Sequence, residues 1–332
     1  MPRRPHLLAA VIAALLLPLA AGAQCAGTNL IDALPAAEQA TLRDAARAVP
    51  FPEGNLWRAT RDLQTVHIIG TYHFDDPRHD AMLAAVAPLI ASATTLLVEA
   101  GPVEEAALAE RIAREPGVMT ITTGPTLPEL LPAADWQALS AAMKARGMPG
   151  FIAAKLQPWF LSMMLGIPPC DMARAAAGRG LDQRLIENAT ARDVPIKALE
   201  PYDTLFTLFD GMTQAVQLTM IRSALAMEPR AADQSVTLAD AYFDQETRLI
   251  WEFMRKLTLE APDADPAQAA RDIALLETAM MNDRNGAWIG VISAAAAKGP
   301  VIAAFGALHL SGDLGVLNLL AQAGFTIERL PL

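Results

Sequence analysis

Two short apolar segments that each end in a G-x-x-H motif restrict the fold more than any other feature of this chain. Residues 301–305 form one of them, with Gly299 and Pro300 before the run and Gly306 after it. A short apolar run between such turn residues is typical of a buried strand in a parallel sheet. The run leads into Gly306-Ala307-Leu308-His309, so an imidazole follows the predicted strand directly.

The N-terminal part of the chain repeats this arrangement. Residues 66–69 form another mainly apolar run, and Gly70-Thr71-Tyr72-His73 follows it. In open α/β sheets, ligands bind beyond the carboxyl ends of the strands. We therefore expect both histidines to lie where chemistry would take place.

Strand and helix patterns alternate along most of the chain, which predicts an α/β fold with a central, mainly parallel sheet flanked by helices. Residues 56–60 and 63–69 are predicted as a strand pair, and residues 325–330 as the last strand. Two further predicted strands, residues 95–98 and 195–199, end at Glu99 and Glu200.

Residues 115–180 lose this alternation and are rich in Pro, Gly, Ala and Met. This composition predicts short helices that form a cap or insertion within a single domain of residues 24–332. Further along the chain, apolar residues at helical spacing predict long helices over residues 204–227, 235–259, 266–281 and 285–297. Met, Leu and Ala at this spacing are typical of core packing.

The first 23 residues have the pattern of a secretory signal peptide. A basic start with Arg3 and Arg4 is followed by an apolar stretch and by Ala21-Gly22-Ala23, which predicts cleavage after Ala23. The apolar stretch is short for a membrane span, although an uncleaved anchor is the alternative. We expect a secreted or periplasmic protein that is not stably inserted in a membrane.

The charge of the chain argues against polyanionic partners. Cleavage after Ala23 removes two arginines and no acidic residue, so the net charge falls from −10 to −12. An acidic chain without a basic cluster is a poor match for nucleic acid or for an anionic membrane surface. We expect a peptide or a small molecule as the substrate, and the sequence leaves the oligomeric state open.

The sequence contains two cysteines, Cys25 and Cys170. In an oxidising compartment they can form a disulfide, and two free thiols are the alternative. Two cysteines are too few for a thiolate zinc site, and neither has a histidine near it in sequence that would support a cysteine nucleophile.

Four predicted strands therefore end at side chains that carry chemistry: His73, Glu99, Glu200 and His309. If these strands are parallel neighbours, two imidazoles and two carboxylates converge at one edge of the sheet. Such a set suits Mn²⁺, Co²⁺, Fe²⁺ or Zn²⁺. Alternatively, the carboxylates can act as general acid and general base without a metal.

Each of these residues also has a structural interpretation. A histidine at a strand end often serves only as a hydrogen-bonding residue, and a glutamate there can stabilise the start of the next helix. His79 lies among Asp75, Asp76 and Asp80. A second metal site is conceivable there, but we expect a solvated loop.

Several motifs that occur in a fixed order carry a resemblance to a known family: Gly70-Thr71-Tyr72-His73, Leu97-Val98-Glu99, Gln157-Pro158-Trp159, Ala198-Leu199-Glu200, Asp283-Arg284-Asn285 and Gly306-Ala307-Leu308-His309-Leu310-Ser311-Gly312. In these motifs the chain resembles the TraB/GumN family over residues 56–330. That family includes GumN-like bacterial proteins, the pheromone-shutdown protein PrgY and the animal TIKI proteins. It is distantly similar to erythromycin esterases and ChaN-like haem-binding proteins.

This resemblance implies a hydrolase that depends on a divalent metal, with TIKI-like members acting as metalloproteases on extracellular peptides. Carried over by position, His73, Glu99, Glu200 and His309 are the implied metal ligands and catalytic groups. Arg284 and Asn285 match the family's Arg-Asn pair, which is implied to contact substrate or carboxylates. In the resulting hypothesis, a metal-bound water attacks a carbonyl, a carboxylate takes its proton, and Arg284 or Asn285 stabilises the oxyanion.

Two other functions remain open from the sequence. One is an esterase-like hydrolase of a small molecule that uses His73 as general base with Glu99 and needs no metal. The other is a non-catalytic periplasmic protein that binds haem, a metal or another small ligand.

Overall fold

The computed structural model describes residues 25–260 and 265–332, so the predicted signal peptide lies outside the described residues. Six strands form one sheet: β1 Leu56–Arg61, β2 Gln64–Thr71, β3 Thr95–Val98, β4 Ile196–Ala198, β5 Val301–Gly306 and β6 Thr326–Arg329.

The sheet has the order β4-β3-β5-β2-β1-β6. Strands β4, β3, β5 and β2 are parallel to one another, whereas β1 is antiparallel to both β2 and β6. The predicted α/β fold with a mainly parallel sheet is therefore confirmed. The four strands that precede the candidate residues are adjacent, and their carboxyl ends meet at one edge of the sheet.

Helices surround this sheet and account for most of the other described residues: α1 Ala36–Arg47, α2 His79–Ser92, α3 Pro102–Arg114, α4 Leu127–Leu130, α5 Ala133–Ala145, α6 Gly150–Ala153, α7 Pro158–Leu165, α8 Met172–Ala177, α9 Leu181–Thr190, α10 Thr204–Asp210, α11 Gln214–Met227, α12 Ala231–Phe243, α13 Thr247–Leu259, α14 Pro266–Glu277, α15 Asp283–Ala296 and α16 Val316–Gln322. A π-helical turn, Thr278–Asn282, joins α14 to α15.

Two of the long-helix predictions are wrong, because the structure divides each of these segments between two helices. Residues 204–227 form α10 and α11, and the hydroxyl of Thr213 accepts a hydrogen bond from the amide of Val216 at the start of the second helix. Residues 235–259 are divided between α12 and α13. Gln245 has a φ of 63°, and this left-handed conformation ends α12.

The core lies on both faces of the sheet because side chains alternate along β5. Val301, Ala303 and Phe305 pack on one face, in a cluster that includes Trp288 of α15. Ile302 and Ala304 pack on the other face, in a cluster with residues of α2 and α9. All five of these β5 side chains are buried, as expected for a central parallel strand covered by helices on both sides.

Residues 115–180 contain mostly short helices, in keeping with the irregular pattern of their sequence, although α5 has 13 residues. They have their own hydrophobic cluster, in which Leu139, Met143 and Leu161 pack with Ile221 of α11. The limits of a cap or insertion, and of a single domain, stay predictions. None of the helices within the described residues has the length and apolar character needed to cross a membrane.

A disulfide joins Cys25 to Cys170, with the Cα atoms 5.2 Å apart. It connects the N-terminal segment to the 3₁₀ turn Pro169–Asp171, which directly precedes α8. The two cysteines are separated by 145 residues in sequence, so the bond closes a long loop of the unfolded chain.

Replacing both cysteines, as Cys25→Ala with Cys170→Ala, should lower the free energy of unfolding by about 2–5 kcal/mol, because the unfolded chain is no longer restrained. Urea unfolding under oxidising conditions measures this loss. A reductant should destabilise the wild type to the same extent and leave the variant unchanged. Equal unfolding midpoints for the oxidised wild type and the variant would contradict this prediction.

Candidate active site

Arg284 lies at the centre of the cluster formed by the strand ends. It is in the first turn of α15, and its side chain is 8 % exposed. Its Nη2 donates to Glu99 Oε2 at 2.6 Å and to Glu200 Oε1 at 2.7 Å, and its Nε donates to Glu200 Oε2 at 2.8 Å. One guanidinium therefore binds carboxylates that follow two neighbouring strands, β3 and β4.

Both carboxylates have further hydrogen-bond donors. Glu99 Oε1 accepts the backbone N–H of Gly306 at 2.6 Å, and Glu200 Oε2 accepts the indole N–H of Trp288 at 3.1 Å. Burial disfavours the charged form of Glu99. The positive charges of His73 and Arg284, together with the hydrogen bond from Gly306, outweigh this effect and hold the pKa of Glu99 below its ordinary value.

His309 is a neutral imidazole, and its two hydrogen-bond partners determine which ring nitrogen carries the proton. Arg284 Nη1 lies 3.3 Å from its Nε2, and a guanidinium can only donate, so Nε2 accepts. The proton is therefore on Nδ1, which donates to Asn285 Oδ1 at 2.6 Å. The amide of Asn285 is itself oriented, since its Nδ2 donates to the carbonyl of Leu314 at 2.9 Å.

The environment of His309 favours this neutral form. Its side chain is buried, and its ring centroid lies 4.5 Å from that of Trp288. Burial, together with the nearby charge of Arg284, lowers the pKa of His309 to about 4, although Glu99 acts in the opposite direction. His309 is therefore uncharged near neutral pH.

His73 has the opposite electrostatic environment. Its Nδ1 lies 2.8 Å from Asp182 Oδ2, and Asp182 Oδ1 accepts the hydroxyl of Thr71. The charge of Asp182 raises the pKa of His73 to about 9, against an opposing effect of desolvation. The side chain of His73 is 65 % exposed, so its ring can be reached from the solvent.

Gly180 allows Asp182 to approach His73. It directly precedes α9, and a Cβ atom there would overlap the backbone of His73. The amide of Leu181, the first residue of α9, donates to the carbonyl of Tyr72 at 3.0 Å. The start of α9 is therefore attached to the end of β2, and its second residue, Asp182, lies beside the imidazole.

The space above Gly306 is bordered by the polar groups of this cluster. A Cβ atom placed on Gly306 would lie 3.3 Å from Glu99 Oε1, 3.5 Å from His73 Nε2 and 3.7 Å from His309 Cδ2. We call this space the cradle. A small group or a water molecule in the cradle would touch an imidazole nitrogen and a carboxylate oxygen at the same time.

Comparison with known families shows which family the chain belongs to. The model of the TraB/PrgY/gumN family matches residues 55–329, which is most of the sequence. The chain belongs to the TraB/PrgY/gumN family. No match was found among the curated proteins.

All six candidate residues of this family member lie in the same cluster, although their catalytic roles stay predictions. Each guanidinium nitrogen of Arg284 already donates within the cluster or to the carbonyl of Met280. Asn285 orients His309. Both side chains therefore position other groups in this arrangement. Arg284 contacts carboxylates, as the resemblance implied, and the hypothesis that Arg284 or Asn285 stabilises an oxyanion stays a prediction.

The implied metal does not fit this arrangement. Among residues 25–260 and 265–332, no group of three or more His, Cys, Asp or Glu side chains is placed to hold a metal ion. Arg284 takes three of the four carboxylate oxygens of Glu99 and Glu200, and its Nη1 faces His309 Nε2. The lone pairs that would bind a metal are therefore directed at a guanidinium.

No pattern in the sequence indicated Asp182 or its hydrogen bond with Thr71, and the expectation for His79 was wrong. Asp182 is an acidic residue in the first turn of a helix, a position that by itself indicates only a favourable helix dipole. His79 was expected in a solvated loop, but it begins α2 and is 1 % exposed. Its Nε2 donates to the carbonyl of Phe74 at 2.9 Å, and Phe243 packs against its ring.

The Asp182→Asn variant should lower the pKa of His73 from about 9 toward its ordinary value near ~6.5, because the amide removes the negative charge that favours the imidazolium. The His73–Asp182 pair stabilises the fold below about pH 6.5, and this contribution is lost as the pH rises through about 9. NMR titration of the imidazole signals measures the shift.

His67, half-buried on β2, the strand that precedes His73, provides the matched control for this titration. Its midpoint should not respond to Asp182→Asn. An unchanged His73 midpoint in the variant would contradict the assignment of Asp182 as its partner.

Proposed function

We propose that this protein is an exported hydrolase that cleaves an ester or amide bond in a small molecule or a peptide. The observation that carries the proposal is the cradle above Gly306, bordered by His73 Nε2 and Glu99 Oε1. Hydrolysis by direct attack of water needs a base within hydrogen-bond reach of that water, and the cradle offers a base and a second group that can orient the water. The disulfide supports export, because such bonds persist in oxidising compartments.

In the proposed reaction, neutral His73 takes a proton at Nε2 from a water in the cradle, while Glu99 Oε1 orients that water. The resulting hydroxide attacks the carbonyl carbon of the substrate. Asp182 accepts the Nδ1–H of His73 and stabilises the imidazolium that forms, as the carboxylate of a catalytic triad does. His73 then donates its proton to the leaving alcohol or amine.

The rest of the cluster keeps these two groups in place. Arg284 and the amide of Gly306 bind the two oxygens of Glu99, which leaves that carboxylate little freedom to rotate. Glu200 and Trp288 hold the guanidinium from the other side. Such positioning lowers the entropic cost of bringing water and base together.

A panel of chromogenic esters and fluorogenic peptides, assayed with the mature protein, tests the proposal. Against any substrate that is cleaved, His73→Gln should lower kcat/KM by about 10²–10⁴-fold, because the general base is lost. The matched variant His67→Gln changes a histidine of β2 that pairs with Ile302, four residues before Gly306, and it should retain activity. In the wild type, kcat/KM should rise with pH up to about 9, as His73 loses its resting proton.

The results also distinguish the other two functions. Loss of activity on chelation, restored by Mn²⁺, Co²⁺, Fe²⁺ or Zn²⁺, would favour the metal-dependent, peptidase-like hydrolase that the family resemblance implies. No cleavage of any ester or peptide would contradict the hydrolase and favour a ligand-binding protein. Full activity of His73→Gln would contradict the assigned base.

A further inference from the structure

The guanidinium of Arg284 contacts three side chains of types that can bind metals. Glu99 and Glu200 contribute carboxylate oxygens, and His309 contributes Nε2. Imidazole and carboxylate ligands occur together in protein sites for first-row transition metals. Here these groups surround a cation that is covalently part of the chain.

The orientation of His309 adds a separate observation. Its Nδ1–H is held by Asn285 Oδ1, so its Nε2 presents a lone pair toward Arg284. Histidines that bind metals almost always have this arrangement, in which the second ring N–H donates to an outer partner. His309 is therefore oriented as a metal-binding histidine would be, but its Nε2 faces the guanidinium of Arg284.

A metal ion and this guanidinium cannot share the space. Both need the same lone pairs, and two positive charges a few ångströms apart repel strongly where little water screens them. The side chains of Arg284 and Glu200 are 8 % and 11 % exposed, so solvent gives little screening here. Whichever cation is present excludes the other.

We propose that the guanidinium of Arg284 is the resident cation of this site, that it excludes divalent metal ions in the wild type, and that its removal lets Glu99, Glu200 and His309 move together into a metal site, which they do not form as they are placed around the guanidinium. The inference concerns the same site as the proposed hydrolase, but it is measured by metal binding and not by turnover. Failure of either proposal can therefore be recognised separately.

The test is a titration of the mature, disulfide-bonded protein with Co²⁺ and Mn²⁺. Calorimetry measures the binding of both ions, and visible absorption also reports bound Co²⁺. Wild type should show no saturable uptake. Arg284→Ala should take up a single ion, because the smaller side chain leaves both the ligands and the space. Arg284→Met is the matched control, because it removes the charge but fills the space with an apolar side chain, and it should stay metal-free.

Thermal unfolding gives a second measurement, because Arg284→Ala leaves two partly buried carboxylates without their counter-cation. Adding Co²⁺ should raise the unfolding midpoint of this variant and leave those of the wild type and Arg284→Met unchanged. In Arg284→Ala combined with Glu200→Gln, which lacks one ligand, both the uptake and the midpoint shift should decrease.

Three results would overturn the proposal. The first is saturable binding by the wild type that disappears in Glu200→Gln, since the metal would then coexist with Arg284. The second is a folded Arg284→Ala that takes up no ion. The third is an Arg284→Ala chain that fails to fold with or without the metal, since an ion could not then replace the guanidinium.

Discussion

The interaction on which the site depends is the binding of one guanidinium to two carboxylates. Glu99 and Glu200 follow adjacent parallel strands, and without a cation between them their charges would repel in a partly buried place. Arg284 neutralises one of these charges and donates three hydrogen bonds to the pair. Removing one partner of such a buried pair is typically far more costly than the net stability that the intact pair provides.

Two histidines with the same sequence motif therefore acquire different chemistry. His309 is buried against Trp288 and faces Arg284, which keeps it neutral. His73 is more exposed and faces Asp182, whose charge favours the protonated form of the imidazole. Groups whose environments move their pKa values apart are suited to different roles in acid–base chemistry. The G-x-x-H motif determines where each imidazole lies, and the residues around that imidazole determine whether it is protonated.

Much of this arrangement could be predicted from the sequence, because it depends on local patterns. Short apolar runs that end in Gly306 or Gly70 indicate buried strands, and parallel strands bring the residues after them to one edge. The family resemblance implied that Arg284 contacts substrate or carboxylates, but the local patterns did not predict that it binds Glu99 and Glu200 together, because α15 brings it to the sheet from another part of the chain. The contact of Asp182 with His73 depends on the close approach at Gly180, for which the sequence carries no periodic signal.

An anomalous diffraction experiment on wild-type crystals grown with millimolar Mn²⁺ tests most directly whether Arg284 is the cation of this site. We expect the guanidinium between Glu99 and Glu200, with no manganese peak within bonding distance of either carboxylate. A manganese peak bonded to both glutamates and to His309, with the Arg284 side chain displaced, would contradict the central role given to this residue.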